Sequence, residues 1–69
     1  MTGRPPKTPV AEGHKQLEAA GFHKIVGLNT TQNRGELWRR GNEQPRFISY
    51  MGRDAEYFST ESLDAALNS

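Results

Sequence analysis

Arg34-Gly35-Glu36-Leu37-Trp38-Arg39-Arg40, followed after five residues by Arg46-Phe47-Ile48-Ser49-Tyr50-Met51, is the stretch on which the fold turns. Both runs are short and rich in aromatic and branched residues, and Gly41-Asn42-Glu43-Gln44-Pro45 between them is turn chemistry. That pattern predicts two neighbouring antiparallel strands. Strand alternation puts Arg34, Glu36, Trp38 and Arg40 on one face of the first, with Leu37 and Arg39 on the other. On the second, Arg46, Ile48 and Tyr50 oppose Phe47, Ser49 and Met51.

Working outward, Phe22 to Leu28 also alternates and predicts a preceding strand, with Phe22, Val26 and Leu28 on one face around Lys24, and His23 and Ile25 on the other. Asn29 to Asn33 is a polar loop. Before that strand a helix is expected over Pro9 to Ala20, with Thr8 as its cap, Pro9 at its first position and Gly21 just past its end. Gly13 weakens the middle of this helix by up to about 1 kcal/mol relative to alanine. Beyond the central strands, Gly52-Arg53-Asp54 reads as a tight turn and Ala55 to Phe58 as a short fourth strand. Ser59 or Thr60 then caps a helix whose apolar stripe is Leu63, Ala66 and Leu67, with Glu61 and Asp64 near its positive end. The expected fold is α+β: a helix, a three- to four-stranded antiparallel meander and a short C-terminal helix (αβββα), with the helices on one face of the sheet. Residues 1–7 read as a flexible basic arm and 8–69 as a single α+β domain.

Sixty-nine residues support one core. A chain of this size buries only about 60% of its unfolded surface, so its stability is marginal without an added staple or partner. There is no cysteine, which excludes disulfides and thiolate zinc sites. His14 and His23 have no acid spaced to complete a metal site, and no cofactor or metal is expected. No apolar run approaches the roughly 18 residues that a membrane span requires, and no hydrophobic stretch follows Arg4 and Lys7, so no secretory signal is expected and the expectation is a cytoplasmic protein. The formal charge of +1 hides an asymmetry: Arg4 to Arg53 holds nine bases against four acids, a net of +5, whereas Asp54 to Ser69 holds four acids and no base. This split allows a basic and an acidic face.

Catalytic motifs are missing from the sequence. It shows no nucleophile elbow, phosphate loop or paired carboxylates with an activating neighbour, so no enzyme is expected. Ser49, Ser59 and Ser62 fall at strand or cap positions, and His14 lies on the apolar side of the first helix.

Two features suggest binding. Gly3-Arg4-Pro5, with Pro6 and Lys7, resembles the core of an AT-hook, whose arginine lies in a narrow A·T minor groove. In the sheet, if Leu37, Phe47 and Met51 face the helices, the outer face carries Arg34, Trp38, Arg40, Arg46 and Tyr50, with Arg53 beside it. Cations around exposed aromatics suit phosphate contact and base stacking. The opposite reading makes Trp38 the core aromatic, with arginine stems lying over its edges. Both remain open from sequence.

Two family resemblances accompany these features. Leu37-Trp38-Arg39-Arg40, Tyr50-Met51-Gly52-Arg53 and Phe58-Ser59-Thr60-Glu61-Ser62-Leu63-Asp64-Ala65-Ala66 resemble the three-stranded DNA-binding domains of the AP2 and integrase-arm type. That resemblance implies a sheet in the major groove, with Arg34, Trp38, Arg40 and Arg46 as contacts. Leu17-Glu18-Ala19-Ala20-Gly21-Phe22 is similar to the end of the first helix in HicA-type toxins and the double-stranded-RNA-binding fold. The catalytic Gly-Ser-His of the toxins has no counterpart in Asn33-Arg34-Gly35-Glu36-Leu37. The expected function is a small nucleic-acid-binding accessory protein of phage or mobile-element type, meeting DNA or RNA phosphates through Arg4, Lys7 and the strand arginines. The alternative is a protein-binding module, such as an inhibitor of a host enzyme complex or a self-associating adaptor, using the Trp/Tyr/Arg face or pairing as a homodimer through an edge strand.

Overall fold

A computed structural model describes residues 5–69 and has the α+β architecture that the sequence implies. The elements run β1 (Lys7–Pro9), α1 (Val10–Ala19), β2 (Phe22–Asn29), β3 (Arg34–Arg40), β4 (Arg46–Met51), β5 (Tyr57–Ser59) and α2 (Thr60–Leu67). The five strands form one antiparallel sheet in the order β1-β5-β4-β3-β2. β2 to β5 are the expected meander, closed by tight connections. α1 carries the chain from β1 at one edge of the sheet to β2 at the other.

Both helices contribute to one core on one face of the sheet. Leu17 of α1 and Leu63 and Ala66 of α2 are buried with Phe22, Trp38, Ile48 and Phe58 from the strands. Gly13 lies against this core: a Cβ there would sit 2.7 Å from Cε2 of Phe58. The glycine lets α1 approach the sheet closely, which the helix-propensity argument alone does not reveal.

The start of the chain departs from expectation. Lys7, placed in the flexible arm by sequence, begins β1, and Thr8 pairs with Phe58 of β5 instead of capping the helix. The Thr8 hydroxyl lies 2.7 Å from the Thr60 hydroxyl, and the Pro6 carbonyl accepts from the Thr60 N–H at 3.1 Å. Pro9 is the N-cap of α1, without a side-chain cap. Residues 1–4 of the arm, with the AT-hook-like Gly3 and Arg4, lie outside the described residues. The C-terminal helix begins as expected, the Ser59 hydroxyl accepting from the Ser62 N–H. The fourth strand is displaced to Tyr57–Ser59, after a turn with positive φ at Gly52 and Ala55.

β2 contains a bulge. Phe22 and Lys24 stand opposite Arg40 and Trp38, but Val26 and Leu28 stand opposite Leu37 and Gly35, leaving Ile25 as the extra residue. Such an insertion changes which side of the sheet the following residues occupy. Phe22 and Lys24 thus share the face that the helices cover, while Val26 and Leu28 lie on the opposite face. The sequence expectation of one continuous Phe22-Val26-Leu28 face is corrected accordingly.

Candidate functional site

The strand alternation read from sequence holds, but its inward direction is the reverse of the one that exposes Trp38. Trp38 and Glu36 are each 2% exposed and lie beneath the helices. Trp38 is therefore not available to stack on a base. Glu36 is the buried acid that accounts for this orientation. Its Oε1 accepts from Trp38 Nε1–H at 2.9 Å and lies 2.9 Å from His14 Nε2; its Oε2 accepts from the Tyr50 hydroxyl at 2.6 Å. Lys24 Nζ stands 3.8 Å from Oε2. Burial pushes the Glu36 carboxyl up, but the hydrogen bonds from Tyr50, Trp38 and His14, with the His14 charge, outweigh it and hold the group below the usual carboxylate range. An ionised carboxylate only accepts, so His14 Nε2 carries the hydrogen. Burial, together with the hydrogen bond and charge of Glu36, pushes the Tyr50 hydroxyl up to about 12.

This cluster joins a carboxylate to an imidazole as general-base pairs do. Both carboxylate oxygens are already engaged, and the ring of His14 lies 5.3 Å from that of Trp38 and 5.6 Å from that of Phe58. The arrangement joins α1 to β3 and β4 through a satisfied buried charge. Among the described residues no buried side-chain polar atom lacks a partner, and no group of three or more His, Asp or Glu could hold a metal.

The arginines expected on an outer binding face are tied to the ends of the sheet. Arg34 donates to Asn29 Oδ1 and to the carbonyls of Gly52 and Arg53, at 3.2, 2.6 and 3.2 Å. Arg40 and Arg46 both reach Glu43 and Ser69, and their guanidinium groups lie 4.8 and 5.7 Å from the centre of the Phe22 ring. Lys7 Nζ stands 4.5 Å over the Tyr57 ring. Arg53 is exposed in the β4–β5 turn. Trp38 and Tyr50 thus share the core side with Arg40 and Arg46 at its margin, while Arg53 and Lys7 lie apart from them.

The side of the sheet that carries no helix is the surface that sequence reasoning missed. The four exposed large hydrophobics among the described residues belong to it or to the bulge beside it: Ile25 at 47%, Val26 at 39%, Phe47 at 40% and Met51 at 38%. Val26, Leu37 and Phe47 stand side by side across three strands, and Met51 stands beside Tyr57. Phe47 folds over Gly35, where a Cβ would lie 2.6 Å from its ring; the glycine makes room for the ring on this surface. His23 and Arg39, also register partners, are exposed at one end of the row. The signal in the sequence was the second apolar row, Leu37, Phe47 and Met51, which by composition alone looked like the buried one.

The sheet edges are β1, short and containing Pro9, and β2, long and bulged. Proline and bulges both discourage strand addition at an edge. A shallow depression of about 400 Å³, lined in part by Pro5, Pro6, Met51 and Glu61, adjoins the helix-free face near β5. No helix among the described residues is long and apolar enough to cross a membrane. No family model matches the chain, and no curated protein or solved structure matches it.

Proposed function

We propose that this chain is a non-catalytic protein-binding module that presents the helix-free face of its sheet to another protein. The observation that carries this reading is the concentration of exposed Val26, Phe47 and Met51 on one side of a sheet whose other side is sealed by both helices. Contiguous exposed apolar surface rimmed by polar residues marks interaction sites. A small domain without cysteines, suited to a reducing compartment such as the cytoplasm, gains stability when a partner covers such a face.

For nucleic acid, the same face offers Phe47 and Tyr57 as stacking surfaces and Lys7 and Arg39 as cations. Base-stacking grooves combine aromatic rings with a cationic track along the backbone. The aliphatic side chains of Val26, Leu37 and Met51 on this face supply neither, and the balance favours protein.

Selection of peptides from a random display library by the folded protein tests the reading. Selected peptides should lose binding to Phe47→Asp and Val26→Asp variants and keep binding to Lys15→Ala on α1. Peptides indifferent to Phe47 and Val26 would overturn it. A mobility shift of random duplex or single-stranded DNA in about 50 mM salt that disappears in Arg39→Ala would favour nucleic acid instead.

A further inference from the structure

We infer that the partner of the helix-free face is an acidic protein segment, apolar along one side with carboxylates beside it; this rests on the interaction-surface reading above. On the helix side of the sheet the strand cations are met by carboxylates: Lys24 Nζ stands 3.8 Å from Glu36, and Arg40 and Arg46 both reach Glu43. The helices carry Glu12, Glu18, Glu61 and Asp64 against Lys15. The strands place Lys7, His23 and Arg39 on the helix-free face and no carboxylate, since Glu36 points into the core. His23 and Arg39 face one another across β2 and β3, both exposed, and neither engages another side chain among the described residues. They are adjacent to the row formed by Val26, Leu37 and Phe47, so a carboxylate flanking an apolar side chain meets both features in one footprint.

The absence of a strand carboxylate from the helix-free face argues against a second copy as the occupant. Two helix-free faces packed together bring Lys7 and Arg39 of each copy into an interface with no strand carboxylate to meet them. Packing the helix-free face of one copy on the acidic helices of the next matches the charges but leaves a free face at each end, and such head-to-tail contacts do not close by themselves. Complementary potential is what an acidic partner supplies, and it raises both specificity and the rate of encounter.

The test uses two synthetic amphipathic peptides that share one leucine face, one flanked by glutamate and the other by lysine, titrated calorimetrically into the full chain. The glutamate peptide should bind about tenfold more tightly at low salt, and its advantage should shrink as salt screens the charges. Arg39→Glu, at an exposed position without a partner among the described residues, should reverse the preference while leaving the near-ultraviolet signal of Trp38 unchanged. Equal binding of the two peptides, binding of neither, or a preference untouched by Arg39→Glu would overturn the acidic-partner inference. Oligodeoxythymidine binding as tightly as the glutamate peptide and lost in Arg39→Glu would overturn it in favour of nucleic acid. Library peptides that depend on Phe47 but show no excess of acids would overturn it while leaving the interaction surface standing.

Discussion

Trp38 Nε1–H donates to Glu36 Oε1 at 2.9 Å, between two residues one strand repeat apart on the buried side of β3. The bond lies within a single strand, but its consequence is global. A carboxylate this deeply buried is tolerated only if its oxygens are met by donors, and Trp38, Tyr50 and His14 meet them from β3, β4 and α1.

Glu36→Gln should therefore cost about 2–4 kcal/mol, because an amide turns donor hydrogens toward groups that themselves donate. The pH dependence follows in sign from the lowered carboxyl of Glu36. Its contribution is complete above the ordinary value of 4.5 and is lost as pH falls through the lower folded-state value. Urea midpoints of the wild type and Glu36→Gln, compared from neutral to acidic pH, should converge on the acid side. A gap constant with pH would remove the ionised carboxylate from the account.

Gly13→Ala should destabilise the protein, although alanine is the better helix former. The added methyl meets the Phe58 ring, and overpacking of this kind costs about 1–3 kcal/mol. Urea unfolding that shows equal or higher stability for the variant would mean that α1 can move away from the sheet.

As the single tryptophan, Trp38 reports directly on which face is buried. Its emission should be blue-shifted and resist iodide quenching. In a Trp38→Phe/Phe47→Trp protein the new indole should be quenched freely, since position 47 is on the helix-free face. The reverse pattern would invert the sheet.

Arg34→Ala should loosen two connections together. Its guanidinium bonds Asn29 on one side and the Gly52 and Arg53 carbonyls on the other. Exposed bonds of this type contribute about 0.5–1.5 kcal/mol in total stability. Amide exchange should accelerate in both the 29–33 loop and the 52–56 turn, and unchanged exchange in either would separate it from Arg34.

The strands of residues 34–40 and 46–51 were legible in the sequence to their end residues, because alternation and turn chemistry are local. Their inward direction was not. Each side of this hairpin carries apolar residues, and Leu37, Phe47 and Met51 look more like a core than a row containing Glu36 and three arginines. What decides the matter is distant in sequence: His14 from the first helix and Tyr50 from β4 complete the partners of Glu36. β1 escaped notice for a similar reason. Three residues around a proline carry no strand signal, and Thr8 finds its hydroxyl partner 52 residues away at Thr60. The binding residues expected from sequence assumed the opposite facing of the sheet: Trp38 is buried and Tyr50 packs against the core, whereas Phe47, Val26 and Arg39 lie on the outer surface.

The single extra residue at Ile25 divides the labour of one strand. Upstream of it, Phe22 is buried in the core beneath the helices; downstream, Val26 and Leu28 contribute to the outer surface. Substitutions at Val26 and Leu28 therefore alter the helix-free surface and leave the buried cluster untouched, so a single strand serves the core with one end and the opposite face with the other.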